Sequence, residues 1–350
     1  MSPYTAKIVH RGQRLLYVDA FAGPGRFEDG RVGSPLIICQ AAEKYAKGRA
    51  QAVFVNKDLH HHEQLKNILI TEGWDKFAFP VLGDATQVLR GVATKMSNES
   101  IFLYIDPFGL QCEFDVLEPF LQRSKAFSTE LLINLSMPII HRLAARDSFL
   151  SGTFSEHVPA FHEKLTRTLG GDYWKDILLA NNGLDTKTRE KLIMDSYMRR
   201  LSETDYLRYT GYCPIQVNRD SRTKYYMVFA SPHPDAMLLF NDEMLKAFNE
   251  YMHEEETRGT LFAGQPWTEW HDTNRLKQLI LRYVAQYPGS TRKELWPKIV
   301  ADHFMRFTSS QYKDTVSKMV KAGEVRCPTP FPSSIRKTSK MNDDCVLEPK

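Results

Sequence analysis

The sequence lacks the long apolar segments and the paired cysteines that define several classes of protein. No apolar run approaches the ~20 residues of a membrane-spanning helix, and residues 1–10 contain no apolar stretch typical of a secretory signal. The five cysteines are scattered without a Cys-x-x-Cys pair, which argues against a zinc knuckle or an iron–sulfur site. We therefore predict a cytoplasmic protein with reduced thiols, no metal site and no membrane contact.

A strong charge of either sign is also missing. The chain has 46 Lys and Arg against 42 Asp and Glu, which leaves a net charge of +4. Any surface that binds nucleic acid must therefore be a local patch and not a property of the whole chain. At 350 residues the chain is long enough for one large domain and a smaller second one.

A glycine-containing turn follows the first apolar run. Residues 15–18 (Leu-Leu-Tyr-Val) end at Asp19, and residues 21–25 (Phe-Ala-Gly-Pro-Gly) follow. A strand that ends at a carboxylate and opens into such a turn presents its backbone to an adenosine-bearing ligand in open α/β sheets. The pattern resembles the first motif of class I S-adenosylmethionine (SAM) methyltransferases. Phe27 or Glu28 stands where a dinucleotide-binding motif has its third glycine, which favours SAM over NAD. The alternative is a turn that binds nothing.

Further strands and helices alternate along the chain. Ser34 is expected to cap the helix after the turn, with Pro35 at its first position. The remaining strands of the predicted sheet are residues 52–55, 77–82, 101–105 and 130–135, followed by a hairpin of residues 212–218 and 224–230. A terminal antiparallel hairpin after five βα units is typical of class I SAM methyltransferases. We therefore predict an α/β protein with a methyltransferase-like Rossmann sheet.

Polar residues after the second and third strands are candidates for the cofactor. Asn56 stands where a ribose-binding acid is usual, whereas Asp58 is the nearest acid, and the assignment stays open between them. Asp84 is placed to meet an adenine amino group and also to cap the next helix. The predicted SAM-binding residues are Asp19, Phe21, Ala22, Gly23, Gly25, Asp58, Asp84 and Ala85.

A second informative motif follows the fourth strand. Asp106, Pro107, Phe108 and Gly109 resemble the Asp-Pro-Pro-Tyr/Phe motif of amino-methylating nucleic-acid methyltransferases. In that chemistry an acid and the following carbonyl accept hydrogen bonds from an exocyclic amine, and an aromatic ring stacks on the extruded base. Here Phe108 replaces the second proline and Gly109 replaces the aromatic residue. We predict a transfer site at Asp106, Pro107 and Phe108, with a simple Asp-Pro turn as the alternative.

Two other segments have competing interpretations. Residues 137–207 predict a mainly helical insertion, which is either a lid over the active face or a solvated helical surface. Residues 60–62 (His-His-His) invite a metal-binding interpretation. However, three consecutive helical residues cannot all point the same way, so we expect an exposed helix start.

The C-terminal part has the pattern of a separate domain. We predict a first domain of residues 1–254, a linker of residues 255–270 and a second domain of residues 271–350. Three helices and a short extended segment indicate a winged helix-turn-helix, whose third helix, capped by Thr308, is the expected recognition helix. Its candidate contacts are Gln311, Lys313 and Lys318. The alternative role of such a domain is protein contact, including homodimerisation.

Four stretches together resemble one family. They are residues 17–25, 33–36, 105–110 and 225–231. In this order they are similar to the bacterial three-Cys-motif partner proteins (TcmP), which carry a C-terminal winged helix. The resemblance implies a partner with the three-Cys motif, of the radical-SAM or Fe–S type. It also implies SAM around Asp19, Phe21, Gly23 and Gly25, and transfer at Asp106 with Phe108.

Two functional hypotheses follow. The first is a SAM-dependent methyltransferase that acts on nucleic acid, with DNA favoured over RNA, and with Arg26 contacting phosphate or the SAM carboxylate. The second is a subunit that binds SAM or another nucleotide without transferring a methyl group, within a modification or defence complex.

Overall fold

A computed structural model describes residues 2–96, 98–124, 126–144, 157–180, 183–216, 222–260, 272–328 and 343–349. Backbone packing divides these residues into two units. The first unit comprises the described residues up to 216 together with 222–233, and the second begins at Pro234.

The first unit is built on a seven-stranded sheet. Its strands are β1 (Leu15–Asp19), β2 (Ala50–Asn56), β3 (Ala78–Leu82), β4 (Ser100–Ile105), β5 (Thr129–Leu135), β6 (Tyr209–Ile215) and β7 (Tyr225–Ser231). Their order is β3-β2-β1-β4-β5-β7-β6, in which β1 to β5 are parallel and β7 runs antiparallel to both β5 and β6. The predicted mostly parallel sheet with a terminal hairpin is confirmed. The strand order reverses between β1 and β4, which is where open α/β sheets place their ligands.

Helices of the first unit connect these strands. They are α1 (Ser2–His10), α2 (Ser34–Tyr45), α3 (Leu59–Thr71), α4 (Ala85–Lys95), α5 (Phe114–Leu121), α6 (Met137–Leu143), α7 (Val158–Leu169), α8 (Tyr173–Leu178) and α9 (Thr186–Ser202). The sequence pattern did not predict α1. Tyr4 and Ile8 of α1 are buried, and the Tyr4 hydroxyl donates to the carboxylate of Glu130 in β5. This helix therefore depends on its packing against the sheet.

The helices of the predicted insertion belong to the main core. Leu165 of α7, Trp174 of α8 and Tyr197 of α9 are buried in the same apolar cluster as Val18 and Leu103 of the central strands. Residues 145–156 and 181–182 of the insertion lie outside the described residues. The described helices are thus not a merely solvated surface, and a role of the insertion as a lid stays a prediction.

In its described residues, the second unit contains four helices and a pair of short strands. They are α10 (Pro234–Thr257), α11 (Thr273–Gln286), α12 (Arg292–Asp302), α13 (Ser309–Lys321), β8 (Val325–Arg326) and β9 (Glu348–Pro349). Thr291 and Thr308 cap α12 and α13 in complete capping boxes, as the sequence predicts for Thr308. In the core of the second unit, the rings of Trp296 and Tyr312 stack with their centroids 4.6 Å apart. The predicted boundary at residue 254 lies near the far end of α10, and residues 261–270 of the predicted linker lie outside the described residues.

One prediction about the cysteines is wrong. Cys327 and Cys345 form a disulfide with Cα atoms 6.0 Å apart, while Cys39, Cys112 and Cys213 take no part in a disulfide. The antiparallel pairing of β8 with β9 causes this approach, because Cys327 follows β8 and Cys345 precedes β9. A separation of 18 residues gives no sign of that pairing in the sequence.

Two further properties concern the described residues alone. None of their helices combines the length and the hydropathy needed to cross a bilayer. Among the same residues, no group of three His, Cys, Asp or Glu is placed to hold a metal ion. The histidines at the start of α3 are mainly exposed, and only His62 is half-buried.

Candidate functional site

Asp19 lies beneath the turn that follows β1. Its Oδ1 accepts a hydrogen bond from the Phe21 backbone N–H at 3.2 Å, and its Oδ2 accepts one from the Ser34 hydroxyl at 2.7 Å. The side chain is fully buried, and burial raises the pKa of Asp19 to about 6, with the negative charge of Asp106 acting in the same direction. Asp19 therefore holds both ends of the loop between β1 and α2 from inside.

The start of α2 differs from its prediction. Gly33, and not Ser34, is the N-cap residue, and Pro35 lies at the second helical position. Ser34 is the first residue of the helix, and its hydroxyl donates to the Asp19 carboxylate. The Ser34 hydroxyl thus bonds to the end of β1, and no side chain caps the start of α2.

The two glycines of the turn have different reasons to be glycine. A Cβ on Gly23 would meet no atom within 4 Å, so the backbone there faces open space. Gly25 has φ +88°, and a Cβ there would lie 3.0 Å from Cδ1 of Leu65 in α3. Gly23 is therefore the position where a ligand can approach the backbone, whereas Gly25 is required by the loop itself. Phe21 is half-buried against the core, and Ala22 is buried.

The end of β2 supports the same turn. The Asn56 side-chain amide donates to the Ala22 carbonyl at 2.6 Å and to the Gly23 carbonyl at 3.2 Å. Asn56 is 2% exposed, and its Oδ1 has no hydrogen-bond partner among the described residues. Asp58 is exposed and caps α3, where it accepts the His61 backbone N–H at 2.8 Å. That bond lowers the pKa of Asp58. Of the two candidates, Asp58 presents its side chain to solvent, whereas the Asn56 side chain is buried.

The end of β3 presents a further exposed acid. Asp84 caps α4 and accepts the Thr86 backbone N–H at 2.9 Å, so its predicted capping role is confirmed. Its carboxylate also lies 4.0 Å from Nζ of Lys57. Ala85, next to it, is buried in the core and offers only its backbone to a ligand.

Asp106 is held from two sides at the end of β4. The Tyr104 hydroxyl donates to Oδ2 at 2.9 Å, and the Asn134 amide donates to Oδ1 at 2.6 Å. Burial raises the pKa of Tyr104, and the neighbouring carboxylate of Asp106 raises it further, so this phenol remains a donor. Neither Tyr104 nor Asn134 is a sequence-based candidate. The signal for Asn134 is the register, because Ile105 pairs with Ile133 and the next residues of β4 and β5 are Asp106 and Asn134.

The turn after Asp106 exposes an aromatic ring. Phe108 is 90% exposed, whereas Pro107 is half-buried and Leu110 returns to the core. Gly109 has φ +87°, a conformation that favours glycine and turns the chain back after Phe108. Exposing a large ring has no benefit for the fold, which makes Phe108 a candidate for ligand contact.

Arg26 is occupied by a neighbour. Its guanidinium lies 3.9 Å from Glu72, which follows α3, and its backbone pairs with Val32 across a small loop. Both side chains of the ion pair are about half exposed. The predicted contact of Arg26 with phosphate or with the SAM carboxylate therefore stays a prediction that has to compete with Glu72.

The predicted contacts on α13 are also partly occupied. Gln311 is 6% exposed, and its Oε1 accepts the Thr308 backbone N–H at 2.9 Å inside the capping box. Lys313 lies 3.6 Å from Asp343, while Lys318 is exposed. Asp242 of α10 accepts the Ser309 backbone N–H at 3.0 Å, at the N-terminus of α13. Gln311 thus does not present its amide to a ligand.

The structure brings the predicted residues Asp19 and Asp106 to the same edge of the sheet. Asp19 and Asp106 follow the two central strands at the point where the strand order reverses, and the charge of Asp106 acts on the Asp19 carboxyl. Tyr104 pairs with Asp19 in the register between β1 and β4, so the support for Asp106 is part of the same sheet edge. Gln311, Lys313 and Lys318 belong to the second unit.

The sequence matches no family model, and no curated protein matches it. Several solved structures match the chain with low TM-scores. A protein from Legionella pneumophila str. Philadelphia 1 has a TM-score of 0.41 and 8% identity, over 71% of this chain and 88% of that chain. An RNA methyltransferase from Salinibacter ruber in complex with S-adenosyl-L-homocysteine has a TM-score of 0.24 and 18% identity, over 38% and 75%. A methyltransferase from Geobacter sulfurreducens has a TM-score of 0.26 and 18% identity, over 41% and 68%. Similarities this low do not assign an activity.

Proposed function

We propose that the chain is a SAM-dependent methyltransferase that acts on an exocyclic amine of a nucleic-acid base, with DNA favoured over RNA. One observation carries the proposal. Asp106 follows a central strand, both of its oxygens accept hydrogen bonds from side chains of the sheet, and a 90% exposed phenylalanine lies two residues further on. A carboxylate fixed in this way, beside an exposed ring, supports the binding of a nucleic-acid base more than a purely structural turn.

The turn after β1 fits the adenosine-bearing cofactor. The open space at Gly23 leaves room for a ligand against the backbone of the turn. The exposed carboxylates of Asp58 and Asp84 follow β2 and β3 at the same sheet edge, where they could accept bonds from ribose hydroxyls and from the adenine amino group. When bound, SAM would supply a methyl group on a positively charged sulfur. Asp19 contributes from beneath by holding the loop.

The residues at β4 explain how an amine could be oriented. Each carboxylate oxygen of Asp106 has a second lone pair beyond the bond it already accepts, so it can also accept an amine N–H. That contact directs the nitrogen lone pair away from the carboxylate. Phe108 offers a flat surface on which an extruded base can stack. The reaction then depends mainly on the positioning of the two reactants, without a Cys or His nucleophile.

We extend the proposal to a partner and to the second unit. The resemblance to three-Cys-motif partner proteins supports a complex with a protein of the radical-SAM or Fe–S type in the cytoplasm. Three helices followed by the antiparallel pair β8 and β9 support a winged helix, which would bind nucleic acid or form a homodimer. Affinity purification of the tagged full-length chain from its host, followed by mass spectrometry, tests the partner. Recovery of the chain alone would contradict it.

A second candidate function is a non-catalytic subunit that binds SAM or another nucleotide. The observation that favours it is at the end of β2. The Asn56 side-chain amide donates to the backbone of the glycine turn, and no acid stands at the usual ribose position at the end of this strand. A subunit of this kind would bind SAM and its partner but would leave every nucleic acid unmethylated.

Two measurements on the purified chain test the proposal. Calorimetry measures SAM binding, and transfer of a labelled methyl group to duplex DNA, single-stranded DNA and RNA measures activity. We expect Asp106→Ala to reduce transfer by about a hundredfold or more while SAM still binds. Asp115→Ala is the matched control, because it removes an exposed carboxylate at the start of α5 whose ion pair among the described residues is with Arg90 of α4. Absence of SAM binding, or undiminished transfer by Asp106→Ala, would overturn the proposal.

A further inference from the structure

The charges of three arginines act on one histidine in the second unit. Arg275 and Arg282 lie seven residues apart on α11, which places them on one face of the helix. Arg306 lies in the connection between α12 and α13, where its backbone N–H donates to the His303 carbonyl at 3.3 Å. All three side chains are exposed, and His303 is half-buried.

Side-chain contacts fix the position of this group. The Tyr283 ring packs edge-on against the His303 ring with centroids 6.2 Å apart, and the Tyr283 hydroxyl donates to the carboxylate of Asp302. These contacts join the part of α11 around Tyr283 to the end of α12. Burial lowers the pKa of His303, and the positive charges of the three arginines lower it further against the opposing charge of Asp302. The three guanidinium groups thus act on one ring.

Some cations of the second unit have an acidic partner, whereas these arginines belong to those that have none among residues 272–328 and 343–349. Lys277 pairs with Glu324 at 2.8 Å, and Arg292 and Lys313 both pair with Asp343. Across residues 272–328 and 343–349, no carboxylate forms an ion pair with Arg275, Arg282 or Arg306. The nearby Asp302 accepts the Tyr283 hydroxyl. A group of exposed cations without a carboxylate partner among these residues is suited to an external anion.

The start of the expected recognition helix is less available for that role. The Asp242 carboxylate occupies the N-terminus of α13, the Gln311 amide is buried in the capping box, and Lys313 is paired. The arginines also suit an extended anion. Seven residues of α-helix separate Arg275 from Arg282 by about 10 Å along the axis, which exceeds the size of a single phosphate group.

We infer that Arg275, Arg282 and Arg306 form a binding site for the phosphate backbone of duplex DNA, separate from the exposed face of α13. The inference rests on the proposed nucleic-acid substrate and names the surface that binds it. Guanidinium groups form paired hydrogen bonds with phosphate oxygens, and such contacts position a duplex without reading its sequence. The site would therefore set where the protein holds DNA, and base selection would have to come from elsewhere in the complex.

Binding of the full-length chain to a labelled DNA duplex, measured by fluorescence anisotropy over a range of salt concentrations, tests the inference. The test variant is Arg275→Gln, Arg282→Gln and Arg306→Gln combined. The matched variant is Lys313→Gln, Lys318→Gln and Lys321→Gln combined, which removes the same charge from α13. We expect the arginine variant to bind about a hundredfold more weakly at about 0.1 M salt, with the slope of log affinity against log salt reduced by about three. The lysine variant should change both quantities much less.

Several results would overturn the inference. One is an unchanged affinity of the arginine variant beside a large loss in the lysine variant, and this result leaves the proposed methyltransferase intact. Another is the absence of duplex binding by the unaltered chain. A third is binding to vesicles of anionic phospholipid that requires the arginines while duplex DNA does not bind. Methyl transfer to nucleic acid, measured separately on the same samples, shows whether the proposed function fails with the site or survives it. Unfolding curves of each variant confirm that these exposed substitutions leave the fold intact.

Discussion

The side-chain amide of Asn134 donates a 2.6 Å hydrogen bond to Oδ1 of Asp106 across the ends of two neighbouring parallel strands. Because Tyr104 holds the other oxygen, the carboxylate has one preferred orientation. We expect Asn134→Ala to lower the rate of methyl transfer by roughly tenfold to a hundredfold, since misplacing a reacting group by about 1 Å has an effect of this size. SAM affinity, measured by calorimetry, should stay unchanged. An equal loss of SAM affinity would contradict a positioning role.

Substitution of Phe108 should affect oligonucleotide binding but not the stability of the fold. Because its ring is 90% exposed, Phe108→Ala should change the free energy of unfolding by less than about 0.5 kcal/mol. Loss of base stacking should weaken binding of a single-stranded oligonucleotide by about 1–3 kcal/mol, and Phe108→Tyr should restore it. Oligonucleotide titrations and denaturant unfolding measure the two quantities. Equal binding by the alanine and tyrosine variants would exclude stacking.

The two glycines of the first turn should respond differently to the same substitution. Gly25→Ala forces a left-handed backbone on alanine and places its Cβ against Leu65, so we expect a loss of about 1–3 kcal/mol in the free energy of unfolding. Gly23→Ala projects into open space and should leave stability within about 0.5 kcal/mol. It should nevertheless weaken SAM binding by about tenfold, because the methyl group occupies the space for the ligand. SAM affinity unchanged in Gly23→Ala would place the ligand elsewhere.

Substitutions at the end of β2 distinguish the two candidate ribose contacts. Asn56→Asp would place a buried carboxylate against the Ala22 and Gly23 carbonyl oxygens, so we expect a loss of about 2–4 kcal/mol in the free energy of unfolding. Asp58→Ala should reduce stability by only about 1 kcal/mol through the lost helix cap. If Asp58 binds the ribose, SAM affinity should fall in this second variant. Tighter SAM binding by Asn56→Asp would identify Asn56 as the ribose position instead.

Glu130 predicts a pH dependence of stability. It is 1% exposed, and burial raises its pKa to about 7, against the lowering effect of hydrogen bonds from Ser128, Tyr4 and Ser231. A carboxyl with a raised folded-state pKa binds more protons in the folded chain than in the unfolded chain. The contribution of Glu130 to the free energy of unfolding is therefore greatest below about pH 4.5 and decreases as the pH rises to about 7. Relative to Glu130→Gln, the free energy of unfolding should fall by about 3 kcal/mol over that range. Denaturant unfolding at several pH values measures it, and parallel curves for the two proteins would contradict the assignment.

The parts of the fold that follow from local pattern were predictable from the sequence. The apolar runs identify the seven strands of the sheet, and short-range chemistry identifies the caps at Asp84 and Thr308, because a cap depends on residues within one helical turn. The motif at Asp106 was also identified, since it follows an apolar strand directly. These features need no knowledge of distant residues.

The features that the pattern missed all depend on residues far apart in the chain. Asn134 meets Asp106 only through the register of two parallel strands, and the disulfide of Cys327 and Cys345 needs the pairing of β8 with β9. Ser34 is an acceptable helix cap by local criteria, but Asp19 takes its hydroxyl from a position fifteen residues earlier. Tertiary contacts therefore decide the details of the site even where the strands are clear.

The contacts of Asn241 and Asp242 limit how the protein can be divided. Asn241 accepts the Met305 backbone N–H and donates to the Phe307 carbonyl, both at 2.8 Å, and Asp242 binds the Ser309 backbone N–H. A fragment that begins at residue 271 would remove all three bonds and leave the connection before α13 with unsatisfied backbone groups. Anyone who wishes to excise the C-terminal unit for separate study should therefore cut before Pro234 and keep the whole of α10.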